Sequence, residues 1–242
     1  MPSIFRIIYF LKRLIRPFLN PKVIHFIGDS HVDVFWHMEH SPLYFWRIIP
    51  KIKIVHGATA TGLANPNSKT KAFNEFINYS KKIRPDDYIV VQLGEVDCGF
   101  AIWYRAEKHG ISVEEQTDLA VNNYSSIMDC FYEISGEKCY VSSAVLPTIK
   151  DNQEFGEVAN LRREVKASIK ERTSLSLLFN KKIKAKTKEK GVGFIDLDLF
   201  LLDKKTNIIK DLFIHPDLTD HHLDPVPFSI ILNKCINRIV KG

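Results

Sequence analysis

Val23-Ile24-His25-Phe26-Ile27-Gly28-Asp29-Ser30-His31 joins a short apolar run to a tight glycine turn that ends in polar, reactive side chains. Four more runs of this kind follow: Lys51 to Val55, Tyr88 to Leu93, Cys139 to Val145 and Gly193 to Leu197, each rich in Val and Ile and bounded by Gly, Pro, Asp or Lys. Runs with apolar residues on both faces suit strands buried on both sides of a parallel sheet. Helical patterns lie between them at about 71–83, 113–134 and 157–190, and a last one covers 227–240. The alternation predicts one α/β domain with helices on both faces of a five-stranded parallel sheet. Ser112 with Glu115 marks a capped start for the second helix, and the long third stretch is expected to break near Thr173-Ser174.

In such a sheet the ligand site lies beyond the carboxyl ends of the strands, so the polar residues there carry the chemistry. After the first strand, Gly28-Asp29-Ser30 presents Ser30 as a nucleophile. After the second, His56-Gly57-Ala58-Thr59-Ala60-Thr61-Gly62 leaves room for a backbone N–H to approach an oxyanion. The third ends in Gly94-Glu95-Val96-Asp97, where Glu95 and Asp97 would cap a helix or bind substrate hydroxyls. Thr219-Asp220-His221-His222-Leu223-Asp224-Pro225 precedes the last helix and supplies imidazoles and carboxylates together. A serine nucleophile needs a base within hydrogen-bond reach and a carboxylate to orient that base.

These blocks, in this order from about Val23 to Val240, resemble those of the SGNH hydrolases, also called GDSL esterases. The resemblance implies a flavodoxin-like three-layer α/β/α fold and a serine esterase or O-acyltransferase. Ser30 would be the nucleophile, His222 the base and Asp220 its carboxylate, with Asp217 behind it. The N–H groups of Ser30 and Gly62 would form the oxyanion hole, and Glu95 and Asp97 would meet the substrate. Gly94-Glu95-Val96-Asp97-Cys98 further resembles a block found among bacterial polysaccharide-related proteins, which points to O-acyl groups on a carbohydrate. Two departures stand out: Val96 replaces the family's oxyanion asparagine, and Asp220 lies two residues rather than three before His222. A non-catalytic carbohydrate-binding or assembly module on the same fold is the competing reading.

The chain has 242 residues, 45% hydrophobic and 26% charged, ample for a packed core without metals or cross-links. Cys98, Cys130, Cys139 and Cys235 show no metal-ligand or staple spacing and read as packing thiols of a reducing, cytoplasmic compartment. The net charge of +6 is local in origin, because residues 1–22 hold five Lys or Arg and no acid, and residues 162–190 hold eleven against three Glu. With few aromatics among these charges, nucleic-acid binding is not expected. Residues 4–16 are too interrupted by charge to span a bilayer; they suit either a peripheral helix on an anionic inner-membrane surface or a helix across the domain's own edge. The chain therefore divides into a basic segment, 1–22, and a hydrolase-like domain, 23–242. No cofactor or metal is required, although Asp29, His31, His221 and His222 would converge as a metal site if the first and last loops meet. Trp36, Tyr44, Phe45, Trp46, Trp103 and Tyr104 flank the first and third strand-end loops as core or as an aromatic wall.

Overall fold

The computed structural model describes residues 21–40, 48–151, 165–217 and 219–241. The basic segment 4–16, the start of the third helical pattern and Tyr44, Phe45 and Trp46 lie outside them. Five strands, β1 (Lys22–Gly28), β2 (Ile48–Ile54), β3 (Tyr88–Gln92), β4 (Cys139–Ser142) and β5 (Gly193–Ile195), form one sheet in the order β2-β1-β3-β4-β5. Every pairing in it is parallel.

Side chains alternate across this sheet into two separate cores. Ile27, Ile89, Val91 and Val141 face one way, where α3 (Val113–Ser135) supplies Tyr124 and Phe131 and α4 (Ile169–Lys190) supplies Phe179 and Ile183. Ile24, Phe26 and Val90 face the other, onto Phe35 of a 3₁₀ segment (Ser30–His40) and Phe228, Leu232 and Ile236 of the last helix, here α6 (Pro225–Lys241). Two apolar layers, one on each face, make the three-layer α/β/α arrangement that the alternation predicts. The shorter helices are α1 (Ala72–Ser80), α2 (Ile102–His109) and α5 (Asp198–Leu201), and a two-stranded hairpin, β6 (Leu202–Asp203) with β7 (Ile208–Ile209), precedes the last loop. Among the described residues no helix is long and apolar enough to cross a membrane.

The start of α3 is the expected one: Ser112 Oγ accepts from Glu115 N–H at 3.1 Å while Glu115 Oε2 accepts from Ser112 N–H at 2.9 Å. The expected break near Thr173 is absent. Helix α4 runs unbroken from a second capping box, Ser168 with Glu171, and its hydroxyls bond back to the preceding turn, Thr173 Oγ1 to Ile169 O at 2.7 Å and Ser176 Oγ to Arg172 O at 3.0 Å. Residues that favour breaks are thereby satisfied inside the helix. The four thiols are free, and three of them, Cys98, Cys139 and Cys235, are buried.

Candidate active site

At the carboxyl edge of the sheet, Gly28 ends β1 under tight constraint. A Cβ there would stand 2.0 Å from Gln92 O of β3 and 2.7 Å from Val32 Cγ1, so only glycine lets the chain turn at that point. The turn delivers Asp29, Ser30 and His31. The buried Asp29 carboxylate uses one oxygen, Oδ1, to accept both the His31 backbone N–H at 2.9 Å and His31 Nδ1 at 3.1 Å. On the far side of that ring, His31 Nε2 lies 3.7 Å from Glu95 Oε2. Ser30, between the two, faces a cavity of about 460 Å³.

The loop before α6 repeats the same device. Asp220 Oδ1 accepts the His222 backbone N–H at 2.9 Å and His222 Nδ1 at 2.6 Å. The loop is pinned by a bridge between Ile214 and Leu223, by Asp224 N–H to Phe213 O at 2.9 Å, and by Thr148 Oγ1 donating to His221 O at 2.6 Å. His222 Nε2 is buried with no hydrogen-bond partner among the described residues, and Ser30, Asp220, His221 and His222 all line the one cavity.

Burial holds the His222 imidazole below its ordinary value, and the neighbouring His31 adds to this against the pull of Asp220. Burial works the other way on Asp220, but the backbone and ring donors of His222 outweigh it and keep that carboxyl below the usual range. A neutral imidazole whose Nδ1–H is given to an ionised carboxylate keeps its Nε2 lone pair for a proton. The expected base and its expected carboxylate thus stand together, in a cavity shared with the expected nucleophile. Asp217, the alternative carboxylate, is instead committed to its own turn, accepting Thr219 N–H and O–H at 2.9 and 2.7 Å.

Other expectations need correction. Asp97 is fully buried and its carboxylate is engaged within the fold: it accepts Ala60 N–H at 2.7 Å, Thr61 N–H at 2.8 Å and Thr61 Oγ1 at 2.6 Å, tying the loop after β2 to the end of β3. Burial pushes its pKa up to about 6, and those three donors oppose the rise. Glu95 is also buried and faces His31 rather than the cavity. The Gly62 N–H is engaged within its own turn, with Thr59 Oγ1 at 2.9 Å and Thr59 O at 3.1 Å, and the glycine of that loop that lines the cavity is Gly57, at φ +68°. Val96 lines the cavity.

Two further groups take roles the sequence did not assign. His31, expected in the sequence only as a possible partner of His221 and His222, is buried and lines the cavity beside them. The aromatic faces in the cavity are Phe100 and Phe228, whereas Trp36 and Tyr104 are exposed and Trp103 donates its indole N–H to Cys98 O at 2.8 Å. Burial pushes the Cys98 thiol well above its ordinary value, as suits a packing residue rather than a nucleophile.

The sequence matches no protein-family model, and no curated protein is significantly similar to it. Solved structures are similar throughout the chain. A GDSL-like lipase from Bacteroides thetaiotaomicron VPI-5482 superimposes with a TM-score of 0.56 at 14% identity, covering 91% of this chain and 88% of that one. A protein described as an acylhydrolase from Bacteroides fragilis NCTC 9343 gives 0.53 at 14% identity, with 91% of each chain covered. A protein described as an arylesterase from Agrobacterium tumefaciens str. C58 gives 0.52 at 12% identity, covering 90% of this chain and 99% of that one. Identities this low speak to the fold, and with the sheet order, the two-sided core and the strand-end loops already described they lead to one conclusion: this chain has the fold of the SGNH, or GDSL-type, hydrolases.

Proposed function

We propose that the protein is a serine hydrolase or acyl transferase acting on esters, with Ser30 as nucleophile, His222 as base and Asp220 as the carboxylate that orients it. The observation that carries this reading is the 2.6 Å Asp220–His222 contact, with a buried Nε2 that has no hydrogen-bond partner among the described residues, in the cavity that Ser30 lines. His222 Nε2 takes the Ser30 proton as Oγ attacks the ester carbonyl, and the imidazolium returns that proton to the departing alcohol. Water, or an acceptor hydroxyl, then resolves the acyl-enzyme with His222 again as base. The Ser30 N–H and the backbone beside Gly57, which lines the cavity, are our assignment for the oxyanion donors, since the Gly62 N–H is already engaged.

The substrate class we infer is an O-acyl group on a carbohydrate. The Gly94-Glu95-Val96-Asp97-Cys98 block supports it, and Phe100 and Phe228 offer apolar faces to a sugar ring or acyl chain. Residues 4–16 would hold the protein at an anionic membrane surface, which co-sedimentation with anionic against neutral vesicles tests.

Val96 favours a second reading, a binding module with no chemistry, because losing one oxyanion donor costs a working enzyme roughly a hundred- to a thousandfold. Labelling with a fluorophosphonate separates the two. The hydrolase reading expects a covalent adduct mapped to Ser30, absent in Ser30→Ala and in His222→Ala; an unlabelled, folded wild type refutes it.

A further inference from the structure

Six of the nine histidines, His31, His37, His56, His215, His221 and His222, line the same cavity, more imidazoles than a single serine triad uses. Three of them form a compact group. Ring centroids are 4.8 Å apart for His31 and His222, 4.2 Å for His221 and His222, and 5.6 Å for His31 and His221. One ring nitrogen from each lies within 4.8 Å of the other two. We propose that His31, His221 and His222 form a binding site for a tetrahedral divalent cation, Zn²⁺ in preference to Mg²⁺ or Ca²⁺, and that an ion bound there switches off the serine chemistry.

Ligand type, geometry and charge all favour this site. Imidazole nitrogen suits zinc, whereas the harder cations want oxygen. Nitrogens bound tetrahedrally at about 2.0–2.1 Å stand about 3.3 Å apart, so three nitrogens as much as 4.8 Å apart close on one ion when each moves inward by about 0.9 Å. Side-chain rotation covers that distance.

Two of the rings are already oriented as metal ligands usually are. Asp29 Oδ1 takes the Nδ1 side of His31 and Asp220 Oδ1 that of His222, so in each ring an ion would be bound through Nε2. With Glu95 Oε2 3.7 Å from His31 Nε2, three carboxylates stand close enough to offset a double positive charge. Water or Glu95 would complete the coordination.

The switching half of the proposal rests on the hydrolase reading. His222 Nε2 has one lone pair: given to a cation, it can no longer accept the Ser30 proton. Zinc therefore competes with catalysis at one atom, without moving the fold.

The test uses the full chain stripped of metal with a chelator and titrated with Zn²⁺ by calorimetry, and with Co²⁺ as a visible-absorption probe of tetrahedral coordination. One ion per chain is expected, with the intense tetrahedral Co²⁺ spectrum. His31→Gln and His221→Gln should each weaken binding about 100-fold, and Asp29→Asn about 10-fold, as loss of an outer carboxylate does. Because a buried-site variant could misfold, wild type carries its own readout. Zinc should shift the imidazole NMR signals of residues 31, 221 and 222 and leave that of His25, outside the cavity, in place.

Fluorophosphonate labelling of Ser30, run metal-free and zinc-saturated, separates the two readings. Labelling that zinc suppresses and chelator restores supports both halves. Stoichiometric binding with no labelling in either state keeps the cation site and overturns the serine reading together with the switch. Absence of binding, binding unchanged in both glutamine variants, or labelling indifferent to saturating zinc overturns the proposal.

Discussion

Replacing Asp220 by asparagine isolates the charge of the carboxylate from its geometry, because a single oxygen, Oδ1, makes both contacts to His222. An asparagine whose amide oxygen takes that place keeps both acceptances. Its NH₂ then falls where Oδ2 lies, 3.9 Å from His215 Nε2. What disappears is the attraction between a full negative charge and the imidazolium that forms as Ser30 loses its proton. Unit charges about 4 Å apart interact by roughly 4 kcal/mol at the effective dielectric of a protein surface. The His222 and Asp220 side chains are 31% and 38% exposed, and the amide dipole keeps part of the attraction, which reduces the loss to about 2–3 kcal/mol. That is roughly 30- to 150-fold in kcat. The assay is hydrolysis of 4-nitrophenyl acetate in the presence of a chelator, with thermal unfolding as the check on structure. Asp220→Asn should lose activity in that range and keep its Tm; Asp217→Asn, whose carboxylate serves only Thr219, should stay within about twofold of wild type on the same reckoning. Loss of less than about threefold in Asp220→Asn, or equal losses in the two variants, would refute the reasoning.

Three other outcomes follow from named contacts. Val96→Asn puts an amide donor in the cavity wall and should raise kcat, by up to about 100-fold if the amide reaches the oxyanion; unchanged kcat in a folded variant shows that this position is not the missing donor. Gly28→Ala forces a Cβ to 2.0 Å from Gln92 O and should cost about 3 kcal/mol, seen as a fall in Tm of about 6–12 °C, and a shift below about 2 °C contradicts the β1–β3 constraint. Burial holds the His25 imidazole below 6.5 despite its contact with Asp87, so the unfolded chain takes up a proton first as pH falls. Stability is then lost on going from pH 6.5 toward the lower folded value, with a slope of at most about 1.4 kcal/mol per pH unit, and His25→Gln should flatten that part of the Tm-against-pH curve.

What the sequence made legible was what local pattern controls. The five strands and the capping box at Ser112 rest on residues a few positions apart, whereas the roles proposed for Ser30, Asp220 and His222 come from the resemblance of whole blocks. The role of Asp97 was hidden because its partners, Ala60 and Thr61, are 37 and 36 residues away, and only the fold shows that a carboxylate at a strand end is needed by another loop. Gly62 misled for the opposite reason: a neighbouring threonine takes its N–H, and no spacing rule sees that competition. The second capping box was readable in Ser168-Ile169-Lys170-Glu171, and following it would have removed the expected break in α4. His31 also left a signal. Asp29-Ser30-His31 and Asp220-His221-His222 share the Asp-x-His spacing, and that spacing is what lets one oxygen clasp both a ring and its own backbone.

The Asp220–His222 clasp closes over two residues of chain, while the contacts that fasten the loop carrying it, among them the Ile214–Leu223 bridge, the Asp224 amide and the Thr148 hydroxyl, are made by other groups. Orientation and docking are therefore separable properties. Should those fastenings open, the loop would leave as a finished cassette, base and carboxylate still aligned, and re-engage without any search among imidazole rotamers. Activity in this architecture would follow the occupancy of a docked loop as a simple fraction, and changes that loosen Thr148 or the bridge would scale the rate without altering the acid-base character of His222.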